Sequence, residues 1–194
     1  DVVKKPVVAF LATGNELVEL GKKPRANQIV NSNRFLIAGL CQELGVEVKY
    51  LGIVRDDQTE IKGKIAEGLN EADIVITTGG TSVGAADLVP MVVNKLGKPG
   101  IVVHGVAMRP GMPTAVGILK RKPVFVLSGN PVAAIFGFEV FVRPTILRLL
   151  GPRSEPRPIV KARLNRRVAG ALGRRVYLRV RAFEKDGGFY AEPV

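Results

Sequence analysis

Over its first 150 residues the chain switches repeatedly between two hydrophobic periods, and this restricts the folds open to it more than any other feature. KPVVAFLAT (5–13), VEVKYLGIV (46–54) and DIVITT (73–78) are short apolar runs rich in β-branched residues. Each gives way to a polar or glycine-rich turn. Apolar residues then return every three or four positions, the spacing of one helical face. In NSNRFLIAGLCQELG (31–45) that face is read as Phe35, Leu36, Leu40 and Leu44, with Asn31 or Ser32 as N-cap and Gly45 as the stop. Thr59 is placed to cap a second helix carrying Ile61, Ile65 and Leu69. DLVPMVVNKLG (87–97) opens a third, where Pro90 is tolerated in the first turn.

Three further strand-like pieces follow: IVVHGVAM (101–108), TAVGILK (114–120), the one open to an antiparallel reading, and VFVLSG (124–129). NPVAAIFGFEVFVRPTILRLLG (130–151) reads as a helix kinked or broken near Pro144. Repeated β-α-β units predict an α/β fold, a mainly parallel mixed sheet between two helical layers. At Gly151 the texture changes. GPRSEPRP (151–158) reads as a linker; VKARLNRRV, RRVYLRVRAFEK and GFYAEPV read as strands, with KDGG as a hairpin turn. Three strands alone make a poor core. The expectation is an α/β domain over 1–150 and the incomplete start of a small all-β domain over 151–194.

Composition narrows the function classes. No run of 18 apolar residues exists to span a bilayer, and DVVKKPVVAFLATGNE lacks the regions of a signal peptide. Cys41, the single cysteine, excludes an internal disulfide, reads as a helix core residue and fits a reducing, cytoplasmic setting. A net charge of +12 points to an anionic partner, although +7 of it falls in residues 151–194. That tail carries no RNA-binding signature, which argues against nucleic acid. His104, the single histidine, is expected in a buried or capping role, with no Cys/His metal cluster and no Ser-His-Asp arrangement.

The chemistry lies in the loops, because ligands of such sheets sit beyond the carboxyl ends of the parallel strands. In TTGGTSVGAAD (77–87), Gly79, Gly80 and Gly84 let backbone N–H groups face an anion, and Thr81 and Ser82 add hydroxyls. It is neither a Walker A loop nor a G-x-G-x-x-G fingerprint. LSGNPVAA (127–134) turns at Gly129 and Asn130 and opens a helix with Pro131. RPGMPT (109–114) offers Arg109 to a phosphate. Glu16, Asp56, Asp57 and Asp87 form a separate carboxylate set; any of them could cap a helix, and together with an anion they would need a divalent cation between.

TGNEL (13–17), NSNR (31–34), LGIVRDD (51–57), TTGGTSVGAAD, RPGMPTAVG (109–117) and LSGNPVAA, in this order and spacing, resemble the molybdopterin molybdenumtransferases over residues 6 to 150. The tail resembles the start of that family's C-terminal β domain. The resemblance implies an enzyme that takes adenylylated molybdopterin and molybdate, inserts the metal at the dithiolene sulfurs and releases AMP, assisted by Mg2+ or another divalent cation. It implies that Thr78, Gly79, Gly80, Thr81, Ser82 and Gly84 cradle the pterin phosphate or its surroundings, and that Ser128, Gly129, Asn130 and Pro131 line the same pocket. Arg109 and Gly111 would add positive charge and a turn beside it. Glu16, Asp57 and Asp87 would act at the cation and molybdate, with Asp56 as a further ligand. It also implies a homodimer whose cleft is completed between subunits, N-terminal domains lacking from this sequence, and the pathway's adenylyltransferase as a partner. Arg109 stands for the family's usual lysine, Met112 for a second lysine, Ser128 for a proline and Asn31 for a frequent aspartate. Open alternatives are the adenylyltransferase of the same fold, a competence-damage-type protein and a non-catalytic basic scaffold.

Overall fold

The computed structural model describes residues 4–80, 87–151 and 158–194. The strand-like runs form β1 (Val7–Thr13), β4 (Glu47–Val54), β5 (Ile74–Thr78), β6 (Gly100–His104), β8 (Ala115–Leu119) and β9 (Lys122–Leu127), in the order β4-β1-β5-β9-β8-β6. Two-residue strands β2 (Leu17–Val18) and β3 (Ile29–Val30) make a small lobe after β1, and β7 (Met108–Arg109) precedes β8. β1, β4, β5 and β9 pair in parallel, while β8 runs antiparallel to both β9 and β6.

Alternation along the buried strands creates two apolar faces, and each recruits a helical layer. Val8, Phe10, Ala12, Ile74, Ile76, Phe125 and Leu127 pack under α1 (Asn33–Glu43) and the segment α4 (Pro131–Gly137) to α5 (Arg143–Leu150). Ala9, Leu11, Val75, Val124 and Val126 pack under α2 (Gln58–Glu71) and α3 (Leu88–Leu96). The expected three-layer α/β/α arrangement is therefore present.

Local details differ from the sequence reading. On α1 the line facing the sheet is Asn33, Ile37 and Cys41, whereas Phe35 is 48% exposed. Leu36, Leu40 and Leu44 flank that line, so a polar residue and a thiol occupy places that a hydrophobic count assigns to leucines. Ser32 stands at the N-cap without a side-chain cap, and Gly45 (φ +67) closes the helix as expected. The cap of α2 is Asp57 rather than Thr59: its Oδ1 accepts from the N–H groups of Thr59 and Glu60, both at 2.9 Å. Thr59 lies inside the helix. The long helix breaks before Pro144, where a π-helical turn (Phe138–Val142) hands over to α5. Pro144 thus falls in a first turn, where its missing N–H costs nothing. Arg143, nearly buried, ties α5 to α1 by reaching Glu139 (2.9 Å) and Glu43 (3.1 Å).

In the tail, β12 (Val180–Lys185) and β13 (Gly188–Pro193) form the expected hairpin, turning at Asp186 and Gly187 with φ of 49 and 73. Two successive positive φ angles are what a two-residue hairpin turn demands. β10 (Arg163–Leu164) pairs with β13, but β11 (Arg175–Val176) leaves the hairpin sheet to pair with β7, and Tyr177 stacks on Phe136 at 5.2 Å. RRVYLRVRAFEK is therefore two strands serving two sheets. Among the described residues no helix is long and apolar enough to cross a membrane.

Cys41 is fully buried, and desolvation pushes its thiol pKa from 9.0 up to about 12. The folded state thus favours the protonated thiol. Its stabilising contribution is complete below pH 9 and is lost as pH rises through 9 toward 12, where the unfolded chain ionises first. Maleimide labelling of the native protein at pH 8 is expected to be slow and to become fast only in urea.

Candidate functional site

The topology gathers the loops. β1, β4, β5, β6 and β9 all point the same way and β8 enters from that rim, so TGNE, RDD, TTGG, LSGNP, RPGMPT and His104 lie along one carboxyl-terminal rim. Backbone bonds lock neighbouring loops together: Gly14 N–H donates to Val54 O (3.1 Å) and Gly79 N–H to Leu127 O (3.1 Å). Asn15 and Asp56 exchange backbone-to-side-chain bonds of 3.4 and 3.3 Å between the first two loops.

Where β1, β5 and β9 end, a pocket of about 380 Å³ opens, lined by Thr13, Glu16, Asn33, Thr78, Gly129–Pro131, and the apolar Leu17 and Ile29. Thr13, Asn33 and Thr78 are 2, 6 and 1% exposed, and among the described residues Thr13 Oγ1, Asn33 Oδ1 and Thr78 Oγ1 have no hydrogen-bond partner, as is also true of Thr77 Oγ1 outside the lining. Buried polar atoms are normally satisfied. Three unpaired ones around one pocket are the pattern expected of a ligand site. The Asn33 amide orientation is fixed, because its Nδ2 donates to Gly129 O at 2.8 Å. Asn130 Oδ1 caps α4, accepting from Val132 and Ala133 N–H at 3.0 and 3.2 Å. Ser128 Oγ accepts from Asn130 N–H at 3.2 Å and shapes the turn.

The apolar wall is held by a polar cluster behind it. Tyr50 OH donates to Glu19 Oε1 (2.7 Å) and accepts from Asn31 Nδ2 (2.9 Å), while Arg34 pairs with Glu19 Oε2 (3.1 Å) and lies 4.5 Å from the Tyr50 ring centre. Burial, reinforced by the Glu19 carboxylate, raises the Tyr50 pKa above the usual phenol range. The phenol therefore stays a donor, and the β2–β3 lobe bearing Leu17 and Ile29 stays pinned to β4.

The residues expected from the sequence distribute unevenly. Thr78, Gly129, Asn130, Pro131 and Glu16 line the pocket, and Gly79 and Gly80 continue directly from it. Thr81, Ser82 and Gly84 lie outside the described residues. Arg109 and Gly111 sit in the adjoining turn, and a Cβ at Gly111 would press on Met108 and approach Ala133 O. Asp57 is engaged as the α2 cap. Asp87 stands at the N-cap position of α3 without capping it; its Oδ2 meets His104 Nε2 at 3.0 Å beside a second pocket containing Met91, Asn94 and Lys95. His104 is consequently exposed and paired, not buried, because the β6 end projects it beyond the sheet. Among the described residues no three His, Cys, Asp or Glu side chains come together as a metal-binding group. Sequence reasoning missed Thr13 and Asn33 as pocket residues. A usable signal was present for Asn33, a polar residue in register with Ile37 and Cys41 on the helix face.

Doubly wound sheets take their ligands beyond the carboxyl ends of their strands, where this pocket lies, and residues 9–148 match the family described as a probable molybdopterin binding domain. The chain is 38% identical over 190 residues to molybdopterin molybdenumtransferase 1 of Mycobacterium tuberculosis, covering 96% of this chain and 44% of that protein. It is 37% identical over 180 residues to a putative molybdopterin biosynthesis protein of Methanocaldococcus jannaschii, covering 89% and 43%. The crystal structure of a molybdopterin biosynthesis protein from Pyrococcus horikosii superposes with a TM-score of 0.81 at 36% identity, over 98% of this chain and 45% of that one. The chain belongs to the family of probable molybdopterin binding domains. It spans under half the length of the curated relatives it matches.

Proposed function

We propose that this chain is the pterin-binding part of a cytoplasmic, homodimeric molybdopterin molybdenumtransferase, which inserts molybdenum from molybdate into adenylylated molybdopterin and releases AMP. The observation that carries this reading is the rim pocket with its three unpaired buried polar atoms, in a chain of this family. The residues would divide the work by chemistry. Thr13, Thr78, Asn33 and the Gly129–Pro131 turn would bind and orient the pterin. The glycine turn after Gly79, whose own N–H is held by Leu127 O, would receive the phosphate with backbone N–H groups, and Arg109 would add positive charge along the rim. Cleavage of the phosphoanhydride leaves negative charge on the departing AMP phosphate, so the site must supply compensating positive charge. A divalent cation such as Mg2+ would supply it, but the four carboxylates do not gather as its ligand set among the described residues: Glu16 lines the pocket, Asp56 accepts from Asn15 N–H in the neighbouring loop, Asp57 caps α2 and Asp87 meets His104. The pathway's adenylyltransferase would deliver the substrate. No side-chain nucleophile is required.

Calorimetric titration with adenylylated molybdopterin, on the parent chain and on Gly80→Asp, tests this. Gly80 has φ +65, and a Cβ there would meet Val89 at 2.6 Å and Thr13 Oγ1 at 2.9 Å. Saturable binding is expected in the parent and its loss in the variant. Equal binding by a folded Gly80→Asp protein would contradict the placement.

A further inference from the structure

The pocket's wall is chemically one-sided. None of its described lining residues is Lys, Arg or His, and a carboxylate, Glu16, belongs to that lining. The start of α4 is already used, since Pro131 has no N–H and Asn130 Oδ1 accepts from the N–H groups of Val132 and Ala133, whereas α1 starts at Asn33 without a side-chain cap. Asn33 donates one of its amide N–H groups to Gly129 O. A flipped amide would set two oxygens against each other, so Oδ1 is left as an acceptor. The hydroxyls of Thr13 and Thr78 can each also accept. Such a wall offers a phosphate no cationic side chain, while its fixed Asn33 Oδ1 asks for a neutral N–H donor.

Building on the pterin-binding reading above, we infer that this pocket takes the 2-amino-4-oxopyrimidine edge of its ligand, with Asn33 Oδ1 as the acceptor that selects the amino group, and that the ligand's phosphates lie outside it. The volume of about 380 Å³ accommodates a bicyclic ring, and Leu17 and Ile29 supply apolar surface for its faces. Asn33 is thus a specificity-determining residue. Its burial follows from the need to hold one acceptor in one orientation. Guanine presents the same edge, so the chemistry names a class with two sources, a pterin or a guanine base.

Fluorescence titration with pterin, with lumazine (an oxo group in place of the 2-amino group) and with guanosine tests the inference. The parent chain is expected to bind pterin at least about tenfold more tightly than lumazine, because lumazine leaves the buried acceptor unpaired. In Asn33→Leu the ratio is expected to fall to near one. If that variant unfolds, the parent ratio decides alone. Equal binding of pterin and lumazine by the parent overturns the inference and leaves the pterin reading standing, whereas binding of neither overturns both. Guanosine binding as tightly as pterin would assign the pocket to guanine; weaker binding assigns it to the pterin.

Discussion

Gly79→Ala is expected to lower the unfolding free energy by roughly 2–4 kcal/mol and to abolish pterin binding at once, because two separate penalties meet at this residue. Its φ of +92 lies where an L side chain is strained. A Cβ there would also run into the carbonyl oxygen of Thr13, a backbone atom that cannot swing away. Gly79 N–H meanwhile bonds Leu127 O, so this glycine fastens the end of β5 to β9 while packing against the end of β1. Relief of the clash must separate the strand ends that form the pocket. Gly129→Ala is the internal control: the nearest atom to its Cβ would be Gly79 Cα at 3.5 Å, an ordinary contact. Urea unfolding should therefore show a large loss for the first variant and a small one for the second. A Gly79→Ala protein within about 1 kcal/mol of the parent would mean the strand ends are not packed as described.

Phe10→Ala is expected to cost about 3–5 kcal/mol. Phe10 is fully buried in β1, packed under α1 and the π-helical turn, and its ring stacks on Tyr50 at 5.7 Å. Its removal leaves a cavity beneath the residue that anchors Glu19, Asn31 and Arg34. The apolar wall of Leu17 and Ile29 should then loosen, so pterin affinity is expected to fall even in buffer where the variant stays folded. Unfolding and titration of one sample separate these effects. A loss under about 1 kcal/mol would show that the layer lacks the tight packing described.

Much of the fold was legible because its signal is local. The buried strands announce themselves by β-branched runs, the helices by four-residue spacing at Ile61, Ile65 and Leu69, and the tail hairpin by Asp186-Gly187. What was not legible depends on contacts between distant segments. Asn33, 96 positions from its partner Gly129, faces the sheet because a loop carbonyl awaits it, and no helical period can show that. β11 pairs with β7, more than sixty positions away, so its departure from the hairpin sheet is invisible locally. Asp57 in place of Thr59 as the α2 cap was a choice among adjacent competent residues, decided by where β4 ends. Of the site, the sequence displayed the loops that turn at the rim. The paired Asp87 and His104 and the unpaired Thr13, Asn33 and Thr78 emerge only when the strand ends are brought together.

The central claim is that the ligand sits where β1, β5 and β9 end. An amide NMR titration of the isotopically labelled chain with molybdopterin tests it most directly. The largest shift changes are expected at Asn33, Thr78, Gly129 and Asn130. Changes centred instead on the exposed Arg163 of β10 and Arg181 of β12, with Asn33 and Gly129 unmoved, would contradict the account.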